Sequence, residues 1–265
     1  MEHPTLHALG LFSTMICVGG AVLVLGLLRP GGAGAVAADW QGCQLATVAR
    51  WTRWLALLGS AGSVLDLLVQ VAETEGQSLW AGVPLGQVVA FATGTTVGRF
   101  AVARALVLLG ASLALQNASR WRWRAVAALG GAAFLCTILV SHAAAQPARG
   151  WPLLLLHSLH VGAAFVWLGV LTHWVVCQRL LREAARTGAR VRLLATMVTR
   201  FTPVALGAVP VLLLSGGLQA VQAVGTLRAL VTSAYGLTLN SAQTCARAAR
   251  LSGRGGELSP APPGA

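Results

Sequence analysis

The chain has 265 residues, of which 56% are hydrophobic and only 10% are charged. Ordinary soluble domains carry about 25% charged residues, so the composition argues that this chain is not an ordinary soluble domain. The formal net charge of +12 comes from 19 arginines with no lysine. No basic helix face with interleaved aromatic residues accompanies these arginines, which argues against nucleic-acid binding.

Six apolar segments are long enough to cross a bilayer as helices, which takes about 20 residues. Backbone polar groups in lipid must find partners within the chain. The segments therefore predict an all-α fold, a polytopic helical bundle embedded in a lipid bilayer. They are approximately residues 6–28, 54–71, 99–116, 125–145, 151–176 and 201–221.

Three other stretches do not fit a spanning helix. Gly31 to Ala38 is predicted to be a flexible connection, because it is rich in Gly and Ala. Leu79 to Ala92 is interrupted by Gly and Pro, which indicates an interfacial or re-entrant segment. Residues 241–265 are polar and proline-containing, so residues 1–240 are predicted to form the transmembrane domain and 241–265 a disordered tail.

The arginines predict the orientation of the chain. Twelve of them lie in the odd-numbered connections between segments, whereas the even-numbered connections hold only Arg99 and Arg149. Cytoplasmic connections carry an excess of basic residues. We therefore expect a multi-pass protein of the plasma membrane with its N-terminus outside.

Three histidines are predicted to lie in the outer half of the membrane on two neighbouring helices. His142 falls near the outer end of the fourth segment, and His157 and His160 lie one turn apart near the start of the fifth. Neutral imidazole is a common metal ligand, and ionisable residues inside a membrane are functional candidates. We predict that His142 and His160 face each other and bind a metal, with His157 as a third ligand or a partner of one. The alternative is three buried histidines that hydrogen-bond to neighbouring helices.

The remaining histidines carry weaker hypotheses. His173 lies thirteen residues after His160, deeper and on nearly the opposite face, shared with Cys177. We expect it to pack within the bundle or to lie near the inner interface of the membrane. His3 and His7 either capture a metal at the outer surface or belong to a solvated terminus.

Two charges fall inside predicted spans. Asp66 and Arg104 are expected to form an ion pair, because pairing offsets the cost of burying each charge. A proton-relay or metal-binding role for Asp66 remains an alternative.

Several short motifs resemble one family. The run from His160 through Trp167 to Gly169 is similar to the histidine–tryptophan–glycine signature of the copper resistance protein D (CopD/PcoD) family. Ser141-His142-Ala143 resembles its Gly-His-Ala element, with serine in place of glycine. The other similar elements, within a resemblance that covers about Leu6 to Leu239, are Thr95 to Arg99 with Arg104, Arg200 to Pro203, Ser215-Gly216 and Thr232 to Gly236.

The resemblance implies an inner-membrane protein that handles copper ions, Cu⁺ or Cu²⁺, often with a periplasmic copper-binding partner of the CopC type. Of the candidate ligands, His142 and His160 match family histidines, whereas His157 and His173 do not belong to the motif. Family members usually continue into a further helix after the Tyr-Gly element. The different sequence after Asn240 predicts a truncation or a changed reading frame.

Copper transport or copper resistance is the leading functional hypothesis. Two others stay open: a b-type haem-binding electron-transfer protein, in which histidines on facing helices ligate iron, and a scaffold that contacts a partner through the arginine-rich connection Arg179–Arg200. The sequence contains no P-loop, GxSxG or HExxH motif. Transport needs no covalent step, so we do not expect an enzyme.

Overall fold

The computed structural model describes residues 3–28, 35–76, 82–117, 119–141, 144, 150–184 and 187–224. Within these ranges every regular element is a helix. The helices are α1 (His3–Val22, continued by a π-helical turn, Leu23–Leu27), α2 (Ala35–Thr74), α3 (Leu85–Gly94), α4 (Thr96–Ala114), α5 (Arg122–Leu139), α6 (Gly150–Ala184) and α7 (Thr187–Val224). The predicted tail, residues 241–265, lies outside the described residues.

The described part of the chain contains the predicted six helices that are long and apolar enough to cross a membrane. They are Thr5–Leu27, Gln44–Thr74, Thr96–Ala114, Arg122–Leu139, Gly150–Gln178 and Met197–Gln222. The interrupted stretch after the second span forms α3, a helix of 10 residues that is too short to cross. The prediction of an all-α polytopic membrane protein is therefore confirmed.

Some helix ends differ from the prediction. The expected flexible connection Gly31 to Ala38 extends too far, because α2 begins at Ala35. The fourth span was expected to reach Ala145, but α5 ends at Leu139. Both errors arise because hydropathy reports the apolar part of a segment, whereas backbone hydrogen bonds decide where a helix begins and ends.

The chain divides into two compact units, Met1–Leu213 and Leu214–Ala265. In the second unit the described residues, 214–224, are helical, and Ser215 is buried.

Helix α1 is central to the first unit and packs against α2, α5 and α6. Glycines allow the closest approach: a Cβ added at Gly19 would overlap the backbone of Gly169 on α6. In lipid the hydrophobic effect does not drive helices together, so helix contacts depend on close packing, which small residues allow. Gly169 of the motif thus permits a close contact of α6 with α1.

Two arginines bind the carbonyl end of α1. Arg120 donates from Nη1 to the Leu28 carbonyl at 2.6 Å and from Nη2 to the Leu25 carbonyl at 3.1 Å. Arg200 donates from Nη1 to the Leu27 carbonyl at 2.7 Å. The last carbonyls of a helix have no partner within it, and cations there also complement the helix dipole. These two arginines therefore stabilise the end of α1 as well as adding positive charge.

A capping threonine joins α3 to α4. The hydroxyl of Thr95 donates to the Phe91 carbonyl at 2.8 Å and accepts from the Gly98 amide at 2.9 Å. A Cβ at Gly98 would overlap the Phe91 carbonyl. The Thr-x-x-Gly part of the motif at Thr95 to Arg99 thus has a structural explanation, a helix cap and a close backbone contact.

Candidate functional site

The predicted metal ligands do not all lie in the described part of the chain. His142 is outside it. His157 and His160 lie one turn apart on α6, and both are partly buried. Across the described ranges, no three His, Cys, Asp or Glu side chains come together in a way that could hold a metal ion.

His160 lies away from the contact between α6 and α1. It is nine residues before Gly169, which places the two about 180° apart around the helix at about 100° per residue. Gly169 is the residue that touches α1. Helix α6 meets α5 through an edge-to-face contact of Phe165 with Phe134, whose ring centroids are 5.7 Å apart. His160 therefore lies on the side of α6 opposite Gly169.

Asp66 and Arg104 form the expected ion pair. Nη2 of Arg104 lies 3.3 Å from Oδ2 of Asp66, and the two side chains are only 4% and 1% exposed. Nε of Arg104 donates to the Ser63 hydroxyl at 3.0 Å, and Gln70 donates to the same carboxylate oxygen at 3.1 Å. Unpaired charges are very costly in such surroundings, so the pair is required for both residues to be buried.

His7 joins this cluster, which the sequence did not indicate. Its Nδ1 lies 3.6 Å from Oδ2 of Asp66, too far for a hydrogen bond but close enough for electrostatic interaction. The side chain of His7 is 42% exposed, whereas that of Asp66 is 1% exposed. His7 thus lies between the buried pair and the outside of the bundle and is not a freely solvated side chain. Metal capture by the N-terminal histidines stays a prediction.

His173 is buried, as predicted, and has two uncharged partners. Its Nδ1 lies 2.8 Å from the Gly169 carbonyl, one turn earlier on α6, and its Nε2 lies 3.0 Å from the Thr52 hydroxyl on α2. A carbonyl only accepts, so Nδ1 carries the proton in the neutral ring. The Thr52 hydroxyl therefore donates to the bare Nε2, which links α2 to α6.

A third buried polar contact links α2 to α7. Gln44 is 1% exposed, and its Nε2 donates to the Met197 thioether at 3.7 Å. Its Oε1 has no hydrogen-bond partner among the described residues. This contact was not predicted, because a glutamine at the polar end of an apolar segment gives no signal of its partner.

These contacts lie along one buried stripe of α2. Its polar members are buried, and the residues between them, Val48, Ala56 and Gly59, are apolar or small. Gln44 and Asp66 are 22 residues apart, which corresponds to about 33 Å of helix and to the full thickness of a hydrocarbon core. We call this stripe the α2 seam; its polar members are Gln44, Thr52, Ser63 and Asp66. The near-helical spacing of these four residues is the sequence signal that could have placed them on one face of α2.

The fold and its buried charges define a multi-pass membrane protein with polar side chains in its interior. The sequence model described as copper resistance protein D-like, N-terminal domain, matches residues 4–151, more than half of the chain. The chain therefore belongs to the copper resistance protein D-like family. No curated protein and no solved structure matches it.

The matched region contains the first four spanning helices, the α2 seam and the Thr95 to Arg99 element. It ends at residue 151, at the start of α6. The suspected family is thus confirmed, and the match includes the Ser141-His142-Ala143 element. The motif from His160 to Gly169 lies outside the match.

Proposed function

We propose that this protein binds copper within the membrane and passes it across, as a copper transport or copper resistance protein. The observation that carries the proposal is the match of residues 4–151 to the copper resistance family. The described residues include six helices long and apolar enough to cross a membrane, with polar groups buried between them, which agrees with movement of an ion. Copper is the cargo here, and its passage requires no covalent chemistry.

The proposed binding site consists of His142 and His160, with His157 as a third ligand or a partner of one. Residues three apart on a helix are neighbours on its surface, so His157 and His160 can approach one ion together. Imidazole accepts both Cu⁺ and Cu²⁺. His157 and His160 are partly exposed on α6, which leaves them accessible to an incoming ion.

The protein is proposed to lie in the bacterial inner membrane with its N-terminus outside. The support is the excess of arginines in the odd-numbered connections. In that orientation His157 and His160 face the periplasmic half of the membrane, where a CopC-like copper-binding protein is the proposed partner.

Copper binding by the purified full-length protein tests the site. We expect the wild-type protein to bind about one copper per chain. His160→Ala should lose that copper, because a site with two or three ligands loses most of its affinity when one ligand is removed. Ser158→Ala is the matched control, since the Ser158 hydroxyl bonds only to the Leu154 carbonyl of its own helix in the described contacts. Unchanged copper content in His160→Ala would refute the assignment.

A further inference from the structure

Arginine and tryptophan alternate at the point where α5 begins. The five residues are Arg120, Trp121, Arg122, Trp123 and Arg124, and we call them the Arg-Trp segment. The side chain of Trp121 is 67% exposed, whereas that of Trp123 is 0% exposed. Exposed tryptophans are enriched at the membrane–water interface, where the ring lies at the level of the lipid head groups. Trp121 therefore indicates that the segment lies at this level.

Two arginines of the segment are bound to the carbonyl ends of neighbouring helices. Arg120 donates to carbonyls at the end of α1, and Nη1 of Arg122 donates to the Ala114 carbonyl at the end of α4 at 3.3 Å. The guanidinium carbon of Arg122 also lies 5.8 Å from the centre of the Trp121 ring, within the range of a cation–π interaction. These contacts hold both arginines at one end of the bundle, and Arg122 lies against the exposed tryptophan.

Arg124 adds a third positive charge beside Trp121. Its backbone amide donates to the Trp121 carbonyl at 3.0 Å, so the two residues are one turn apart on the same side of the helix. The side chain of Arg124 is exposed and has neither a hydrogen bond nor an ion pair with a described residue. It also lies in the first turn of α5, where the helix dipole disfavours a cation.

The positive charge of the Arg-Trp segment is not neutralised by acidic side chains in the described part of the chain. The ion pairs found there all involve Asp66, at a different place on α2, and none includes an arginine of the segment. The carbonyl ends of α1 and α4 each supply only about half a negative charge. Three guanidinium groups therefore leave an excess of positive charge at the level of the lipid head groups.

We propose that the Arg-Trp segment is a binding surface for the phosphate head groups of anionic phospholipids. Guanidinium groups donate charge-assisted hydrogen bonds to phosphate oxygens, and Arg124 has all its donors available for them. Basic residues next to membrane helices attract anionic lipids. A lipid is favoured over a nucleic acid or an acidic protein, because Trp121 lies at the depth of the head groups. The inference does not depend on copper binding or copper transport.

The test is the lipid retained by the full-length protein from nanodiscs of phosphatidylcholine and phosphatidylglycerol in equal parts. After transfer into a neutral detergent, native mass spectrometry counts the lipids bound per chain. We expect the wild type to retain phosphatidylglycerol in preference to phosphatidylcholine. Arg124→Gln should lower the ratio of the two lipids by about fivefold, since one arginine near an anionic surface contributes about 1 kcal/mol.

Two control variants separate this surface from positive charge in general. Arg124→Lys keeps the charge and should keep most of the preference for phosphatidylglycerol. Arg99→Gln is the matched control, because Arg99 is also an exposed arginine in the first turn of a spanning helix. It lies at the end of α4 opposite Ala114, about 22 Å away, so the lipid ratio should not change. Circular dichroism checks that the helix content of each variant is that of the wild type.

Three outcomes would overturn the proposal. The first is a wild-type lipid ratio in Arg124→Gln. The second is an equal decrease in Arg99→Gln, which would show that the lipids respond to the net charge of the protein and not to the Arg-Trp segment. The third is wild-type protein that retains a nucleic acid or an acidic protein at this surface in place of phosphatidylglycerol.

Discussion

The ion pair of Arg104 and Asp66 gives a quantitative prediction for Asp66→Asn. The substitution keeps the shape of the side chain and removes its charge, which leaves the guanidinium of Arg104 buried. At 3.3 Å and an effective dielectric constant of about 20, the lost attraction is about 5 kcal/mol. The bond from Arg104 Nε to Ser63 remains. We therefore expect a loss of about 3–5 kcal/mol in unfolding free energy, the range for breaking a buried pair.

The double variant Asp66→Asn with Arg104→Gln separates pairing from packing. Removing the second charge also removes the penalty of an unpaired guanidinium, so the double variant should be more stable than the sum of the single losses predicts. Coupling within such a pair reaches about 0.5–3 kcal/mol. The unfolding free energy of the wild type, the two single variants and the double variant is measured in detergent micelles, by circular dichroism as SDS is increased.

Arg99→Gln is the control for charge alone, because Arg99 lies on the same helix but is exposed. It should change stability by no more than about 0.5 kcal/mol. Additive losses in the double variant, or a loss in Asp66→Asn as small as that of Arg99→Gln, would contradict the idea that Asp66 is retained to neutralise Arg104.

Two further substitutions test packing and capping. Gly169→Leu should destabilise the protein by several times more than Gly131→Leu in the same SDS titration. A side chain at Gly169 would overlap α1, whereas a Cβ at Gly131 meets nothing within 4 Å. Equal losses of stability would show that the α1–α6 contact can readjust. Thr95→Ala should cost about 1 kcal/mol through loss of the α4 cap, and Thr95→Ser should restore most of it; the same loss in Thr95→Ser would mean that the methyl group matters rather than the hydroxyl.

The fold could be predicted because the bilayer restricts it. Apolar segments of spanning length must be helices. Gly and Pro in the stretch Leu79 to Ala92 indicated that it does not span, and the helix found there, α3, is too short to cross. The start of α2 could not be predicted in the same way. Gln44, Thr47 and Arg50 lower the hydropathy before Trp54, yet the helix continues through them, because its backbone bonds do not depend on apolar side chains.

The interior contacts were only partly predictable. Asp66 and Arg104 could be paired from sequence, because a charge buried in lipid needs an opposite charge. The bond of Thr52 to His173 joins residues 121 apart, and each has other polar candidates nearby, so only the rotation of α2 and α6 selects it. For the same reason the approach of His7 to Asp66 could not be foreseen: the spacing on α1 fixes the face of His7 but not which helix that face meets.

The proposed copper ligand His160 and the buried His173 lie on different sides of α6. His160 and His173 are thirteen residues apart, which is about 20 Å along the helix and about 140° around it. The Phe134–Phe165 pair and the close approach of Gly19 to Gly169 fill the contacts of α6 at intermediate depth. Packed helix contacts therefore separate the side of α6 that carries His160 from the bond of His173 to Thr52. Because glycines on both helices make the α1–α6 contact with backbone atoms alone, a side chain at either position would force the two helices apart.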